Sequence, residues 1–301
     1  MGEGASYTHV MVDCVAQRAF KELESDPERC VRKILDLGQQ LAQGEFQQHF
    51  FKVAKEVLKQ EPCPYFDLLR GLVRQADKRT LKTFAVNLGW QSWTVGTKKI
   101  RREKEALSWC MNLYPQNGGR ETSWEAFYEL IEKRKRQGVM VYAFLLREEG
   151  WRDLDRLSSL FTEEEDCAFL LFIPSSLLSD TLIQQLCCCH NVLILTENET
   201  PKQEKVFQKL KKCGCLCGVY QQYKRPEQVE DILSGRCMRR HSACGAPLVF
   251  FLGDESRQEE TVVYDYVCQT RKRPDYPVLV MDYFRDIRYI GNIISDMAFP
   301  D

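Results

Sequence analysis

Six short apolar runs separated by amphipathic stretches constrain the fold of this 301-residue chain more than any other feature of its sequence. Each run is continuously apolar, which predicts strands buried on both faces of a parallel sheet. The stretches between the runs repeat apolar residues at helical spacing. Six strand–helix units predict an open or partial (β/α)6 barrel, because a closed eight-unit barrel needs about 250 residues. The runs lie at 107–113, 139–146, 167–173, 191–196, 213–220 and 247–252.

Residues 1–105 form a different region, since helical patterns run through most of it. Asp26 is placed to cap a helix that carries Pro27 in its first turn. Further helices are predicted over 46–58, 65–74 and 78–88. The predicted fold class is therefore α/β, with a helical N-terminal region at 1–105 and a partial β/α barrel at 106–301.

Charge and hydropathy exclude several classes of protein. Hydrophobic residues make up 44% of the chain and charged residues 28%, which is enough apolar material for a sizeable core. A net charge of −1 gives no general attraction to nucleic acid, and the basic run 98–104 is interpreted as a solvated helix face. With neither a membrane-length apolar run nor an export signal, we expect a cytoplasmic protein that contacts neither membranes nor nucleic acid.

The 14 cysteines are expected to be reduced thiols, most of them acting as small apolar core residues. Cys213, Cys215 and Cys217 alternate along a predicted strand, so they are expected to share one face, directed into the barrel. Together with Cys244 or Cys237 they could hold a metal ion or an iron–sulfur cluster. The simpler interpretation is a barrel face that is filled by small residues.

A second group of potential soft ligands is the run Cys187-Cys188-Cys189-His190. Consecutive helical residues point about 100° apart, so three of them cannot converge on one ion without unwinding the helix. The run is interpreted as a helix end with buried thiols.

In a parallel β/α fold, chemistry gathers at the carboxyl ends of the strands. This rule gives a location and leaves the reaction open. The segments it selects are 114–120, 147–151, 174–176, 197–199, 221–225, 253–255 and 281–286.

Several strings of residues resemble the radical S-adenosylmethionine (SAM) enzymes, and in particular a bacterial subgroup with a helical N-terminal segment. The resemblance covers roughly residues 78–295 and implies a partial (β/α)6 barrel that uses a [4Fe–4S] cluster and SAM. The strings are Leu81–Asn87 followed by Lys98–Glu105, Ser123–Glu125 running to Arg136–Gly138, and Pro277–Asp286 followed by Tyr289–Gly291.

The chain departs from this family at the residues that carry its chemistry. The family's C-x3-C-x2-C cluster loop follows the first strand, whereas here 114–120 leads directly towards the next helix and Cys110 lies inside the strand. The family's G-G-E-P motif corresponds to the stretch Leu145-Leu146-Arg147-Glu148-Glu149, in which Leu146 and Arg147 replace the two glycines and Glu148 is the one remnant. Side chains at Leu146 and Arg147 stand where a ligand needs close approach to backbone.

The expected function is therefore that of a non-catalytic, radical SAM-like half-barrel, acting as a binding, accessory or regulatory protein without a cofactor. A protein partner or a small molecule would bind at the barrel mouth, near Tyr142, Arg147, Glu148 and Tyr220. The alternative is a metal-dependent or iron–sulfur enzyme of this superfamily that uses SAM and the thiols of Cys213, Cys215, Cys217 and Cys244.

Overall fold

A computed structural model describes residues 22, 26–42, 45–103, 107–117, 120–121, 123–148, 153–253 and 261–294 of the chain. Seven parallel strands, hydrogen-bonded in chain order, curl into a half-barrel. The strands are β1 (Cys110–Leu113), β2 (Val141–Leu145), β3 (Ala168–Phe172), β4 (Val192–Thr196), β5 (Cys217–Gln222), β6 (Leu248–Leu252) and β7 (Leu279–Asp282). A separate antiparallel ribbon pairs Gln116–Asn117 with Arg120–Glu121.

Helices precede the sheet and connect most of its strands. They are α1 (Pro27–Leu41), α2 (Glu45–Val57), α3 (Tyr65–Gln75), α4 (Lys78–Val86), α5 (Thr97–Ile100), α6 (Trp124–Arg136), α7 (Arg156–Glu163), α8 (Asp180–Leu186), α9 (Pro201–Lys212), α10 (Pro226–Leu233), α11 (Arg236–Ala243), α12 (Thr261–Lys272) and α13 (Tyr283–Ile294). A π-helix, Asn87–Gly96, joins α4 to α5, and a short 3-10 turn, Ser175–Leu177, follows β3.

Strand register determines which side chains face the helices and which face the concave side of the half-barrel. Successive residues of a strand point to opposite faces, and paired residues of neighbouring parallel strands share a face. Phe144 and Phe169 belong to the outer face, where their rings pack against Phe161 of α7. Ala143, paired in register with Asn112 of β1, belongs to the concave face.

The last helix, α13, covers the concave face. Its first residue, Tyr283, is fully buried and donates a hydrogen bond from Oη to Asn112 Oδ1 at 2.6 Å. The Tyr283 ring lies 4.7 Å from that of Phe172 on β3. Further along, the carbonyl oxygen of Ile287 accepts a hydrogen bond from Trp109 Nε1, just before β1. Because β1 and β7 are the two edges of the sheet, α13 bridges the open side of the half-barrel.

The N-terminal helices pack against the amino ends of the strands. The Asn87 side-chain amide donates to the carbonyl oxygens of Glu165 and Cys167, both at 2.8 Å, just before β3. At Gly96 and Gly138 the two backbones approach so closely that a Cβ on Gly96 would lie 2.3 Å from the Gly138 oxygen. One continuous cluster of buried apolar residues extends from α1 to α13. The two regions predicted from sequence therefore share a core.

The structure confirms the predicted fold class and adds a seventh strand. Asp26 caps α1 by accepting from the Arg29 amide at 3.1 Å, with Pro27 in the first turn as predicted. The segment 279–282, which was assigned to the stretch after the sixth strand, pairs with β6 as β7. This strand is short and leads directly into a helix, so no turn signal marks it. The helix α11 was also missed.

Candidate functional site at the rim of the half-barrel

Glu197 lies at the centre of the candidate site, at the carboxyl end of β4. Its Oε1 accepts a hydrogen bond from Tyr220 Oη of β5 at 3.2 Å, and its Oε2 accepts from Gln203 Nε2 of α9 at 3.3 Å. Partial burial raises the pKa of Glu197, the bond from Tyr220 opposes that rise, and the nearby Glu148 carboxylate adds to it. This side chain can hold a proton or accept hydrogen bonds from a ligand.

Glu148 and Ser176 extend the site along the rim. Ser176 Oγ, in the turn after β3, donates to Glu148 Oε1 at 3.3 Å, after the end of β2. Glu148 and its neighbour Arg147, both predicted near the mouth, are exposed. The preceding residue, Leu146, is buried. We call Glu148, Ser176, Glu197 and Tyr220 the rim cluster.

A second group of polar residues lies where β5 and β7 end. Tyr223 Oη donates to Asp282 Oδ2 at 2.6 Å, and Asp286 Oδ2 accepts from the Asp282 amide at 3.0 Å. Arg271 Nη1 of α12 forms an ion pair with Asp286 Oδ1 at 2.8 Å. Burial raises the pKa of both carboxyl groups, and Arg271 opposes the rise at each of them. The network joins α12 to the start of α13, so its carboxyl groups are paired within the protein and support the rim.

Tyr142 does not lie at the mouth, in contrast to its predicted position. It is on the outer face of β2, and its Oη donates to the carbonyl oxygens of Val139 at 2.8 Å and Ile131 at 3.1 Å. Its ring stacks on Phe169. Side chains alternate between the two faces along a strand, and a side chain that faces the helices cannot reach the concave face or the rim.

The cysteines selected from sequence do not line the barrel interior. Cys217 is paired in register with Ile194 on the outer face, and Cys213 lies outside the strand as the cap of α9. Cys244 contacts the Asn198 side-chain amide, with its Sγ 2.9 Å from Nδ2. Cys215 is buried before β5. The expected interior row is thus replaced by thiols at a helix end and behind the sheet.

Among the described residues, one group brings three metal-ligand atoms within 4.8 Å of one another, and it consists of Glu164, Asp166 and Cys167. The four predicted cysteines form no such group. Lys135 Nζ lies 2.6 Å from the Glu164 carboxylate and 2.5 Å from that of Asp166. An ammonium group therefore already compensates these carboxylates, and burial raises the pKa of Cys167, so this group is an ion pair and not a metal site.

The cofactors implied by the family resemblance do not fit the residues present. Cys110 is fully enclosed, with its Sγ 3.8 Å from Tyr283 Oη, and burial raises its pKa to about 12. A buried thiol in this state is a poor precursor of a cluster ligand, since the ligand is the thiolate. At the position of the family's glycines, Leu146 is packed into the core.

A buried polar group lies behind β5, on the outer face. His241 Nε2 of α11 lies 3.3 Å from Gln221 Oε1, and Arg240 Nη2 donates to the same oxygen and to Asp231 Oδ2. Burial and the adjacent Arg240 charge lower the pKa of His241 to about 4. Sequence analysis did not select this histidine. The sequence feature that could have indicated it is the amphipathic stretch 236–243, which lies between two predicted strands.

The fold and the rim together define an α/β half-barrel whose polar residues gather at the carboxyl ends of its strands. No family model, curated protein or solved structure matches the chain in the three comparisons made. Within the described part of the chain, every helix is too short or too polar to cross a membrane.

Proposed function

We propose that this chain is a non-catalytic, radical SAM-like protein that acts as a binding, accessory or regulatory component through the rim of its half-barrel. One observation carries the proposal: α13 places Tyr283 against the concave face, between Asn112 and Phe172. A ligand inside the half-barrel would have to displace this buried ring. Binding is therefore assigned to the rim cluster, where Glu148 is exposed and Glu197 is half-buried.

The rim offers hydrogen-bond acceptors and negative charge. Glu148 and Glu199 both raise the pKa of Glu197 through like-charge repulsion, in addition to the larger effect of burial. A cationic or hydrogen-bond-donating group would relieve that repulsion. The matching partner is a small molecule or a protein segment that presents such a group, without chemistry performed on it by this chain.

Reconstitution with iron tests the non-catalytic assignment. Purified protein is incubated anaerobically with iron and sulfide, desalted, and measured for iron content and visible absorbance. We expect neither stoichiometric iron nor charge-transfer absorbance, and no heat of binding on titration with SAM. Four irons per chain would overturn the proposal in favour of the enzyme alternative. Comparison with a Cys215→Ala/Cys217→Ala variant then tells whether those thiols hold the metal.

The binding role is tested with a radical SAM enzyme encoded by a neighbouring gene, which is the partner that an accessory role implies. We expect direct binding of the two purified proteins in calorimetry. Glu148→Arg should weaken it at least about tenfold, which corresponds to about 1.4 kcal/mol. The matched control is Glu163→Arg, an exposed glutamate at the other end of the half-barrel. Equal weakening by both variants would show that the rim is not the interface.

A further inference from the structure

Two basic runs that are far apart in the chain meet at the amino end of the half-barrel. The first run, 98–102, covers the end of α5 and the two residues after it, and the second run, 133–136, is the last turn of α6. The interpretation of a solvated helix face was made from the first run alone. The structure adds the second run beside it, so the two have to be considered as one surface.

Close backbone packing holds the two runs side by side. Gly138, just after α6, has a φ of +106°, and a Cβ on it would lie 2.5 Å from the Gly96 oxygen and 2.7 Å from Lys99 Cβ. The Gln137 side-chain amide donates to Glu103 Oε2 at 3.2 Å, and so joins the residues that follow the two runs. A side chain at Gly138 would force these helix ends apart, so their contact is a fixed feature of the fold.

The joined runs carry a large excess of positive charge. The segments 97–103 and 132–138 together contain eight basic and two acidic residues, which gives them a net charge of +6. The whole chain has a net charge of −1. A local excess of this size attracts anions to one part of the surface even though the chain as a whole does not.

Part of this charge is already used inside the protein. Lys135 is paired with Glu164 and Asp166, and Arg101 donates from Nε and Nη2 to the carbonyl oxygen of Ile294. The side chains of five other basic residues are exposed to solvent. We call these five the basic surface: Lys98, Lys99, Arg102, Lys133 and Arg136.

Acidic neighbours compensate the basic surface only weakly. Arg136 Nη1 lies 3.6 Å from Glu132 Oε1, and an ion pair between two exposed side chains contributes little free energy. Within the part of the chain that the structure describes, no carboxylate forms an ion pair with Lys99, Arg102 or Lys133. An incoming anion can therefore neutralise these charges without breaking a buried contact.

We infer that the basic surface binds the phosphate backbone of a nucleic acid. A nucleic acid has a far higher charge density than an acidic protein segment, and release of its counterions gives affinity without apolar contacts. An anionic membrane fits less well, because stable binding to lipid requires inserted apolar groups as well as basic residues. The large apolar side chains that are exposed among the described residues lie on α1, α2, α10 and α12, away from α5 and the last turn of α6.

This surface is separate from the proposed function, since it lies at the opposite end of the half-barrel from the rim cluster. It also changes an expectation from the sequence, namely that the chain contacts no nucleic acid. That expectation rested on the net charge of the whole chain and on the run 98–104 alone. Neither of them shows that folding places a second basic run beside the first.

Fluorescence anisotropy of the full-length protein with labelled oligonucleotides tests the inference. The probes are a single-stranded RNA of about 20 nucleotides, the DNA of the same sequence and the DNA duplex, so the comparison shows which nucleic acid is preferred. We expect micromolar or tighter binding at about 50 mM salt. The logarithm of the affinity should fall with the logarithm of the salt concentration, with a slope of about −3.5 on a single strand and about −4.5 on the duplex for five phosphate contacts.

Charge removal on the basic surface gives the decisive comparison. Lys99→Gln/Lys133→Gln should weaken binding at least about tenfold at low salt and make the slope shallower by about 1.5. The matched control is Lys202→Gln/Lys205→Gln, which removes the same charge from two exposed lysines of α9 and should leave the affinity within about twofold. Arg102→Gln changes one exposed side chain after α5 and keeps the test decisive if the double variant does not fold.

Two results would overturn the inference directly: no binding of any probe at about 50 mM salt, or equal weakening by the two double variants. Vesicles of phosphatidylserine and phosphatidylcholine provide the third test. Binding to these vesicles that is lost in Lys99→Gln/Lys133→Gln, without oligonucleotide binding, would overturn it in favour of a membrane surface. None of these measurements involves iron, SAM or the rim, so failure here is distinguishable from failure of the proposed function.

Discussion

The two ends of the half-barrel carry different kinds of polar group. At the carboxyl end, Glu197 and Tyr220 present oxygen, and the pKa of Glu197 is raised by burial and further by the carboxylates of Glu148 and Glu199. At the amino end, the basic surface presents exposed ammonium and guanidinium groups on two helix ends that pack together. Carboxylates suit cations and hydrogen-bond donors, whereas ammonium and guanidinium groups suit phosphates. One parallel sheet can therefore display two unrelated surface chemistries, one at each end of its strands.

The largest effect on stability is expected at the concave face between these ends. Tyr283→Ala removes a fully buried ring that contacts Phe172 and Phe250, and should lower the free energy of unfolding by about 3–5 kcal/mol. Urea unfolding measures the change. The control is Tyr283→Phe, which keeps the ring but removes the hydroxyl that bonds to Asn112 and contacts the Cys110 sulfur, and should cost about 1 kcal/mol. If both variants cost the same, the ring does not fill the half-barrel.

The amino end should respond to loss of the contact that joins it to the N-terminal helices. Asn87→Ala leaves two carbonyl oxygens without their amide donor and should cost about 2 kcal/mol. Fluorescence and circular dichroism should follow one transition, because the helices and the half-barrel share a core. Gln48→Ala, at an exposed position of α2, serves as the control. Two separate transitions would show that the regions fold independently.

The outer layer behind β5 should make stability depend on pH. The folded protein holds the pKa of His241 at about 4, against an ordinary value of 6.5. Between these values the unfolded chain binds more protons, so the free energy of unfolding falls as the pH drops from 6.5 to 4. At pH 5 the titration of His241 lowers the free energy of unfolding by about 2 kcal/mol. His241→Gln should remove this pH-dependent loss while the other groups titrate unchanged. Urea unfolding at pH 7.5 and at pH 5 measures the difference. An equal loss of stability in both proteins would contradict the prediction.

The smallest effect is expected at the rim itself. Glu197→Gln keeps the size of the side chain and an acceptor for Tyr220, but it removes the negative charge. The pKa of the carboxyl group that it replaces is raised by burial and further by Glu148. Stability at pH 7 should change by less than about 1 kcal/mol, in the stabilising direction, since the group is half-exposed and solvent screens it. As the pH falls below the ordinary glutamate pKa of 4.5, Glu197 becomes neutral like the glutamine, and the difference should shrink and vanish. A loss of stability at pH 7 would show that the carboxylate supports the fold.

Local signals predicted much of the fold because they act over a few residues. The helix α1 begins at Pro27 after the predicted cap, Asp26, and α3 and α4 begin at the predicted positions, 65 and 78. The strand β7 escaped prediction because Asp282 is followed directly by the helix at Tyr283, without a turn residue between them. The covering of the concave face by α13 depends on packing, and periodicity alone does not contain that information.

The sequence predicted the location of the candidate site and two members of the rim cluster, Glu148 and Tyr220, but not its full membership. The rule that chemistry gathers at strand ends selected the segments that contain Glu197, Tyr223 and Asp282. It could not tell that Tyr142 faces outward, since a shift of one residue along a strand reverses the side that it faces. Nor could the sequence show that the two basic runs meet, because that depends on the close packing of Gly96 against Gly138.

We propose that this half-barrel, whose concave face is covered by its last helix, binds at its rim and performs no radical chemistry. The decisive measurement is to incubate anaerobically reconstituted protein with SAM and a strong reductant and to analyse the products. We expect intact SAM and no cleavage product above that of a protein-free control. Cleavage of the sulfonium bond in proportion to protein concentration would contradict it.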